Sequence, residues 1–149
     1  GGKHGRIIAL KNAVQTGRIN AIWDNRANDD EYININADSA TDGAANMAAA
    51  RANEPELANL IAFQVCAQLG AAWYLPAKDE LMEVYNNKEV LNTALRANGG
   101  NSLDNKEYWT STQGSADPAV RATSIDFKNG TTFDYRKYTY LLVRPMRAF

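Results

Sequence analysis

The chain has 149 residues, of which 45% are hydrophobic and 22% are charged, and its formal net charge is -1. This composition is typical of a folded globular protein, and the length predicts one domain over residues 1–149. A nearly neutral chain creates no field that attracts nucleic acid, so we exclude a nucleic-acid partner. No apolar run approaches the roughly 20 residues of a membrane helix, so we expect no membrane insertion by this domain.

The first third of the chain has two short strand-like segments and no strong helical pattern. Residues 6–10 form a β-branched run and predict a strand that is buried on both faces. Residues 32–36 alternate apolar and polar side chains, which predicts a brief edge strand.

Helical patterns occupy the middle of the chain. Thr41 or Asp42 is a suitable N-cap, Pro55 suits the first turn of a second helix, and Gly70 ends that helix. Residues 73–76 interrupt the helical pattern and predict an aromatic strand that Pro76 ends. The predicted helices cover residues 44–52, 56–69, 77–85 and 88–97, and the last is expected to turn Val90, Leu91, Ala94 and Leu95 inward.

After residue 106 the hydrophobic period changes from helical to strand-like. The predicted strands cover residues 108–111, 120–127, 131–135 and 141–148. Asn129-Gly130 is a strong hairpin signal between the second and third of them. Helices followed by an antiparallel meander predict an α+β fold with the helices gathered to one side of a sheet.

Few side chains suit catalysis. The lone Cys66 excludes an internal disulfide and lies in an apolar helical pattern, so it is predicted to be a core residue. The lone His4 excludes a triad or a histidine metal cluster. Asp79, Glu80 and Glu83 have helical spacing and are expected on a solvated helix face. We therefore predict no catalytic residue, no metal site and no cofactor, and we expect that the protein is not an enzyme.

Four segments in this order resemble a bacterial family, namely residues 70–81, 108–112, 125–130 and 143–149. The family comprises C-type-lectin-like domains at the C-terminus of Legionella collagen-like adhesins and in surface and pilus-associated proteins of Bacteroides-type bacteria. The resemblance implies a C-type-lectin-like fold in which residues 7–10 pair with residues 142–147 and two helices flank the sheet. Glu54-Pro55 is followed by Glu56 instead of the asparagine of sugar-binding lectins, so we expect no calcium-dependent sugar binding.

The region from Trp109 to Phe149 also resembles the variable region of proteins that are diversified by retroelements. In such regions, adenines in asparagine codons are mutated while flanking motifs stay constant. Residues 114–124, 131–136 and 138–142 contain only residue types that arise from an asparagine codon by changes in its first two bases. The resemblance therefore implies a diversified surface within residues 114–142.

The same segment has the composition of a binding surface, because Tyr and Arg most often anchor interfaces. If Thr132 points toward the core, strand alternation places Thr131, Phe133 and Tyr135 on the opposite face, and Ile125 and Phe127 are inward when Ser124 and Asp126 are outward. Trp73, Trp109 and Phe149 are predicted to be core residues. The predicted ligand-contacting residues are Asp117, Val120, Arg121, Ser124, Asp126, Phe133, Tyr135, Arg136, Tyr138 and Tyr140.

These observations predict a ligand-binding module of the receptor or adhesin type. Its expected partner is a protein or glycan ligand on another cell or surface, and its expected location is the cell surface, the extracellular space or a phage virion. The alternative is a structural pilus or adhesin-tip subunit, in which a partner subunit covers the tyrosines. An enzyme is the third and least favoured alternative.

Overall fold

The computed structural model describes residues 4–149, which form four α-helices, one short 3-10 helix and seven strands. The helices are α1 (Gly43–Asn53), α2 (Ile61–Ala67), α3 (Lys78–Asn86) and α4 (Lys88–Ala97), and the 3-10 helix covers Asp29–Glu31. The strands are β1 (Arg6–Ile8), β2 (Ala21–Ile22), β3 (Glu107–Gln113), β4 (Arg121–Asp126), β5 (Thr132–Arg136), β6 (Tyr140–Leu141) and β7 (Met146–Ala148). The chain is thus α+β, as its change of hydrophobic period predicts.

The paired strands among residues 4–149 are antiparallel, whereas one isolated bridge, between Tyr108 and Leu142, is parallel. The largest sheet has the order β3-β4-β5, and two smaller sheets pair β1 with β7 and β2 with β6. The first and last strands of the described chain therefore lie side by side, with Ile7 opposite Arg147. This confirms the predicted pairing of the terminal strands.

The β4–β5 hairpin forms where Asn129-Gly130 predicts it. Asp126 N–H donates to Thr131 O at 2.8 Å, and Gly130 N–H donates to Asp126 O at 2.7 Å. Gly130 has a φ of +78°, and a Cβ there would lie 2.5 Å from the Tyr85 ring. Only glycine satisfies both the left-handed turn and the close approach of α3.

The core lies between the helices and the sheets. Trp109, Ile125, Phe127 and Val143 are all fully buried, and Trp23 packs edge-on against Phe63 of α2. Cys66 is buried in the same core, as predicted, and burial raises its thiol pKa well above the ordinary value. Of the helices in residues 4–149, none combines the length and the apolar character that crossing a membrane requires.

Helix α1 begins where its cap predicts. Asp42 Oδ1 accepts from Ala45 N–H at 3.0 Å, which satisfies one of the free donors of the first turn. The second predicted helix is much shorter than expected. It begins at Ile61 instead of residue 56, because Leu57 has a φ of +54° and Glu54 accepts hydrogen bonds from the backbone and side chain of Asn59.

Three predicted strands differ from the structure. Residues 32–36 form no strand, because Asn36 has a φ of +61° and the Gln113 side chain accepts from Ile35 N–H. Residues 73–76 form only an isolated bridge from Tyr74 to Met146. The segment 141–148 is divided between β6 and β7, because Pro145 lacks the N–H that a continuous strand requires.

Several burial predictions were wrong. Strand β1 is an edge strand, and Ile7 is 41% exposed. Val90 is 73% exposed and Ala94 is also exposed, because α4 packs on one side through Leu95. Phe149 and Thr132 are exposed, and Trp73, in the loop before the Tyr74 bridge, is half-buried, because no further layer of the described chain covers these positions. Glu80, expected in solvent, is 4% exposed.

Candidate functional site

The β3–β4–β5 sheet has two distinct faces. Trp109 pairs with Ser124, and Ser124 pairs with Phe133, so these three side chains share one face, here called the tryptophan face. Ile125 pairs with Tyr108 and with Thr132 on the opposite face, which packs against α3 and is here called the helix face. The predicted alternation is therefore correct, although Thr132 lies at the solvent-exposed edge of its face.

Aromatic side chains form a cluster on the tryptophan face. The ring centroids of Phe133 and Tyr135 are 4.5 Å apart, and Tyr135 meets the buried Trp109 edge-on at 6.5 Å. The Tyr135 hydroxyl donates to Glu107 Oε1 at 2.6 Å, and this bond raises the pKa of Tyr135 to about 12. Tyr135 is thereby fixed in place, whereas Phe133 beside it is 56% exposed.

A shallow groove of about 350 Å³ adjoins this cluster. Asp126 and Tyr140 line it together with Glu107 and Ile19. The Arg18 guanidinium lies 3.6 Å from the centre of the Tyr140 ring, close enough for a cation–π interaction. Asp126, Phe133, Tyr135 and Tyr140 are thus brought together by the fold.

Ser124 is on the predicted face but is not accessible. Its side chain is 1% exposed and its hydroxyl donates to Phe133 O at 2.9 Å. Because it is buried and bonded to the neighbouring strand β5, Ser124 supports the hairpin and is not accessible to a ligand. Its assignment as a ligand-contacting residue was therefore wrong.

The two predicted arginines lie on the helix face, away from the aromatic cluster. Arg121 Nη1 donates to Asp134 O at 3.0 Å, and Arg136 forms an ion pair with Asp29. Both guanidinium groups are half-buried and are engaged within the chain. Arg121 thus joins strands β4 and β5, and Arg136 joins the end of β5 to the 3-10 helix.

The remaining predicted residues lie in the loops at the end of the hairpin. Asp117 is exposed, and its carbonyl oxygen accepts from Arg121 N–H. Val120 is half-buried, and its carbonyl oxygen accepts from Lys137 N–H. Tyr138 is 51% exposed. The ten predicted residues therefore lie on both faces of the β3–β4–β5 sheet and in the loops at one end of the hairpin. They do not form one continuous patch.

A second depression, of about 500 Å³, lies at the edge of the helix face. Its lining from residues 114–142 includes Ser115, Thr132 and Asp134, and its opposite side includes Lys78 and Asp38. Thr123 donates its hydroxyl to Asp134 Oδ1 at 2.8 Å, which orients that carboxylate. Residues 114–142 thus border depressions on both faces of the sheet.

Sequence reasoning missed several residues at these sites. Glu107 could have been found, because it lies two residues before Trp109 and strand alternation places both on one face. Arg18 carries no local signal, because only the packing of β2 beside β6 brings its loop to Tyr140.

Lys137 is a buried member of the framework that the sequence did not reveal. Its side chain is 0% exposed, and its ammonium donates to Gln113 Oε1 at 2.9 Å and to Ile33 O at 3.2 Å. The ammonium also lies 4.4 Å from the centre of the Trp23 ring. Burial lowers the pKa of Lys137 to about 8, although the nearby Asp24 carboxylate opposes that shift.

The buried ammonium predicts a measurable pH dependence. Between pH 8 and 10 the unfolded chain holds the Lys137 proton while the folded chain releases it, so this group makes stability rise with pH. Relative to a Lys137→Met variant, wild-type stability should rise by up to about 1.4 kcal/mol per pH unit across this window. Urea unfolding at three pH values measures how the free energy of unfolding changes with pH in both proteins. Equal slopes in the two proteins would contradict the lowered pKa of Lys137.

Within residues 4–149, no group of three or more His, Cys, Asp or Glu side chains is arranged to hold a metal ion. A comparison of the sequence with protein-family models gives no match, and a comparison with curated proteins gives none either.

Proposed function

We propose that this protein is a non-enzymatic ligand-binding module with a C-type-lectin-like fold. In this proposal, the surface within residues 114–142 holds a protein or glycan ligand outside the cell or on a phage particle. The pairing of β1 with β7 and the helices that flank the sheets support this fold, because the family resemblance implies both features.

The observation that carries the proposal is the exposed aromatic cluster on a rigid base. Phe133 of this cluster is 56% exposed, whereas Trp109 beneath it is fully buried, and Tyr138 in the loop at the end of the hairpin is 51% exposed. Exposed rings gain free energy when a partner covers them, about 1.5–3 kcal/mol for a side chain the size of Phe. Aromatic side chains also lose little conformational entropy on binding, which makes them effective anchors.

Two buried positions between the asparagine-derived stretches also support diversification of the segment. Lys137 separates two of the stretches that contain only asparagine-derived residue types, and it is fully buried. Phe127 in the hairpin loop is likewise buried, whereas its neighbours Lys128 and Asn129 are exposed. A scaffold of this kind tolerates changes on its surface while its buried positions stay constant.

The diversification proposal is tested at the level of the gene. A near-copy of the segment beside a reverse-transcriptase gene should differ from it only where the copy has adenine. Differences scattered over other bases, or the lack of any such copy, would refute it.

Binding is tested by removing the two most exposed rings within residues 114–142. We expect a Phe133→Ala, Tyr138→Ala variant to lose at least about tenfold in affinity for ligands identified on arrays of glycans and bacterial surface proteins. Val90→Ala is the matched control, since Val90 is 73% exposed and lies on α4, outside the segment.

The melting temperatures of the three proteins separate binding from packing. We expect the double variant to melt within a few degrees of wild type, because exposed substitutions usually change stability by less than about 0.5 kcal/mol. A large fall in melting temperature would show that the rings pack the fold. Unchanged binding by the double variant would refute the proposed surface.

A further inference from the structure

Strand β1 has one edge without a strand partner among residues 4–149. Gly5 and Phe149 exchange two backbone hydrogen bonds, and Ala9 N–H donates to Pro145 O. The backbone N–H and C=O groups of the odd-numbered residues of this segment therefore point toward β7. By alternation, the N–H and C=O groups of Arg6 and Ile8 point to the opposite side. Within the described chain, these four groups have no hydrogen-bond partner, which leaves them available to another strand.

A groove of about 640 Å³ runs along this edge. Its walls come from β1 on one side and from α3 and α4 on the other, and they include Ile8, Val84, Leu91 and Leu95. Leu95 and Val84 are buried, and Ile8 and Leu91 are half-buried. These four side chains give the groove an apolar floor between its walls. Free backbone groups and an apolar floor together match what an extended peptide requires.

The groove is closed at one end by the chain itself. Asn101 N–H donates to Leu10 O at 2.8 Å, which is the position that a backbone donor of an added strand would occupy. Gly100 permits this approach, because a Cβ there would lie 2.6 Å from Leu10 O. The loop after α4 thus completes the edge beside Leu10 and leaves Arg6 and Ile8 open.

The charges of the groove favour a basic partner. Arg6 pairs with the buried Glu80 at 2.6 Å, and Glu83 is an exposed carboxylate without an ion pair in the described chain. The three charges sum to one net negative charge at neutral pH. A lysine or arginine near Glu83 would balance it.

We propose that the open edge of β1 binds an extended segment of a partner protein as an added strand. The segment presents apolar side chains to Val84 and Leu91 and a basic side chain to Glu83. A second copy of this chain fits less well, because its own α3 and α4 flank its β1 edge and would meet the same walls. This site lies apart from the 114–142 surface and does not depend on the function proposed for that surface.

The probe for this site is an end-capped, fluorescent peptide of about seven residues that alternates valine with lysine, long enough to span the open edge. We expect saturable binding to the whole protein by fluorescence anisotropy. The same peptide with alternate backbone amides methylated should bind at least about tenfold more weakly, because it cannot complete the ladder of hydrogen bonds.

Protein variants test the site from the other side. Ile8→Pro removes one free N–H and should weaken the peptide at least about tenfold, and Glu83→Gln should reduce both the affinity and its dependence on salt. Val90→Ala, outside the groove, should bind as wild type does. Absence of saturable binding, equal binding of the methylated peptide, or a dimer that Ile8→Pro dissociates would each overturn the proposal.

Discussion

Replacing Arg144 by methionine should lower the free energy of unfolding by about 3–5 kcal/mol, the largest effect that we expect from one substitution in this protein. Arg144 is 1% exposed, and its guanidinium donates to five oxygen atoms. The acceptors are Asn12 Oδ1 and the carbonyl oxygens of Ala9, Leu10, Asn101 and Ser102.

The loss would be large because methionine fills the space but donates no hydrogen bond. Several carbonyl oxygens would then stay buried without a donor, at a cost of about 1–3 kcal/mol for each group that water does not reach. Arg144 also joins the end of β1 to the loop after α4, so both segments would loosen. Equilibrium urea unfolding of the whole protein measures the change.

Two controls isolate this effect. Arg144→Lys keeps the positive charge but loses the planar guanidinium, which donates to several oxygen atoms at once. It should therefore be more stable than Arg144→Met but less stable than wild type. Arg136→Met removes a half-buried guanidinium that makes one ion pair and should cost no more than about 1 kcal/mol. Equal losses for Arg144→Met and Arg136→Met would contradict this account of the buried network.

Replacing Glu80 by alanine should destabilise the fold by about 2–4 kcal/mol. Glu80 Oε1 accepts from Gly43 N–H at 2.6 Å and from Ala77 N–H at 3.1 Å. Its Oε2 accepts from the Tyr74 hydroxyl at 3.0 Å and pairs with Arg6. One carboxylate therefore joins the first turns of α1 and α3 to strand β1.

Glu83 provides the matched control, because it lies one turn later on α3 and is exposed. Glu83→Ala should change the stability by less than about 0.5 kcal/mol. Glu80→Gln keeps an oxygen for the two backbone donors and should lose less than Glu80→Ala. Thermal unfolding of the three variants gives the order of their stabilities. A loss of stability in Glu83→Ala as large as that in Glu80→Ala would refute the role given to Glu80.

The sequence predicts those elements that local chemistry controls. Helix α1 follows its Asp42 cap, and α3 and α4 follow from helical periodicity. The hairpin follows from Asn129-Gly130, because a left-handed turn position needs glycine. The second helix was predicted too long, because no local signal shows that Leu57 adopts a positive φ while the Glu54 side chain binds Asn59.

The candidate site was predicted only in part. Alternation correctly placed Phe133 and Tyr135 on the face opposite Thr132, and Asp126 on the face opposite Ile125, but it did not show that the buried Trp109 shares their face. It did not show that Ser124 is buried, nor that Arg136 pairs with Asp29, because both depend on how the strands and the 3-10 helix pack together.

By itself, the sequence determined the α+β class, the approximate position of three helices and of the β4–β5 hairpin, and the aromatic composition of residues 114–142. Tertiary structure alone decided which charged side chains are buried. Glu80, Lys137 and Arg144 resemble ordinary surface residues in the sequence, yet each lies in the interior. The reason is that a buried charge is tolerated only where several partners surround it, and these partners come from segments far apart in the chain.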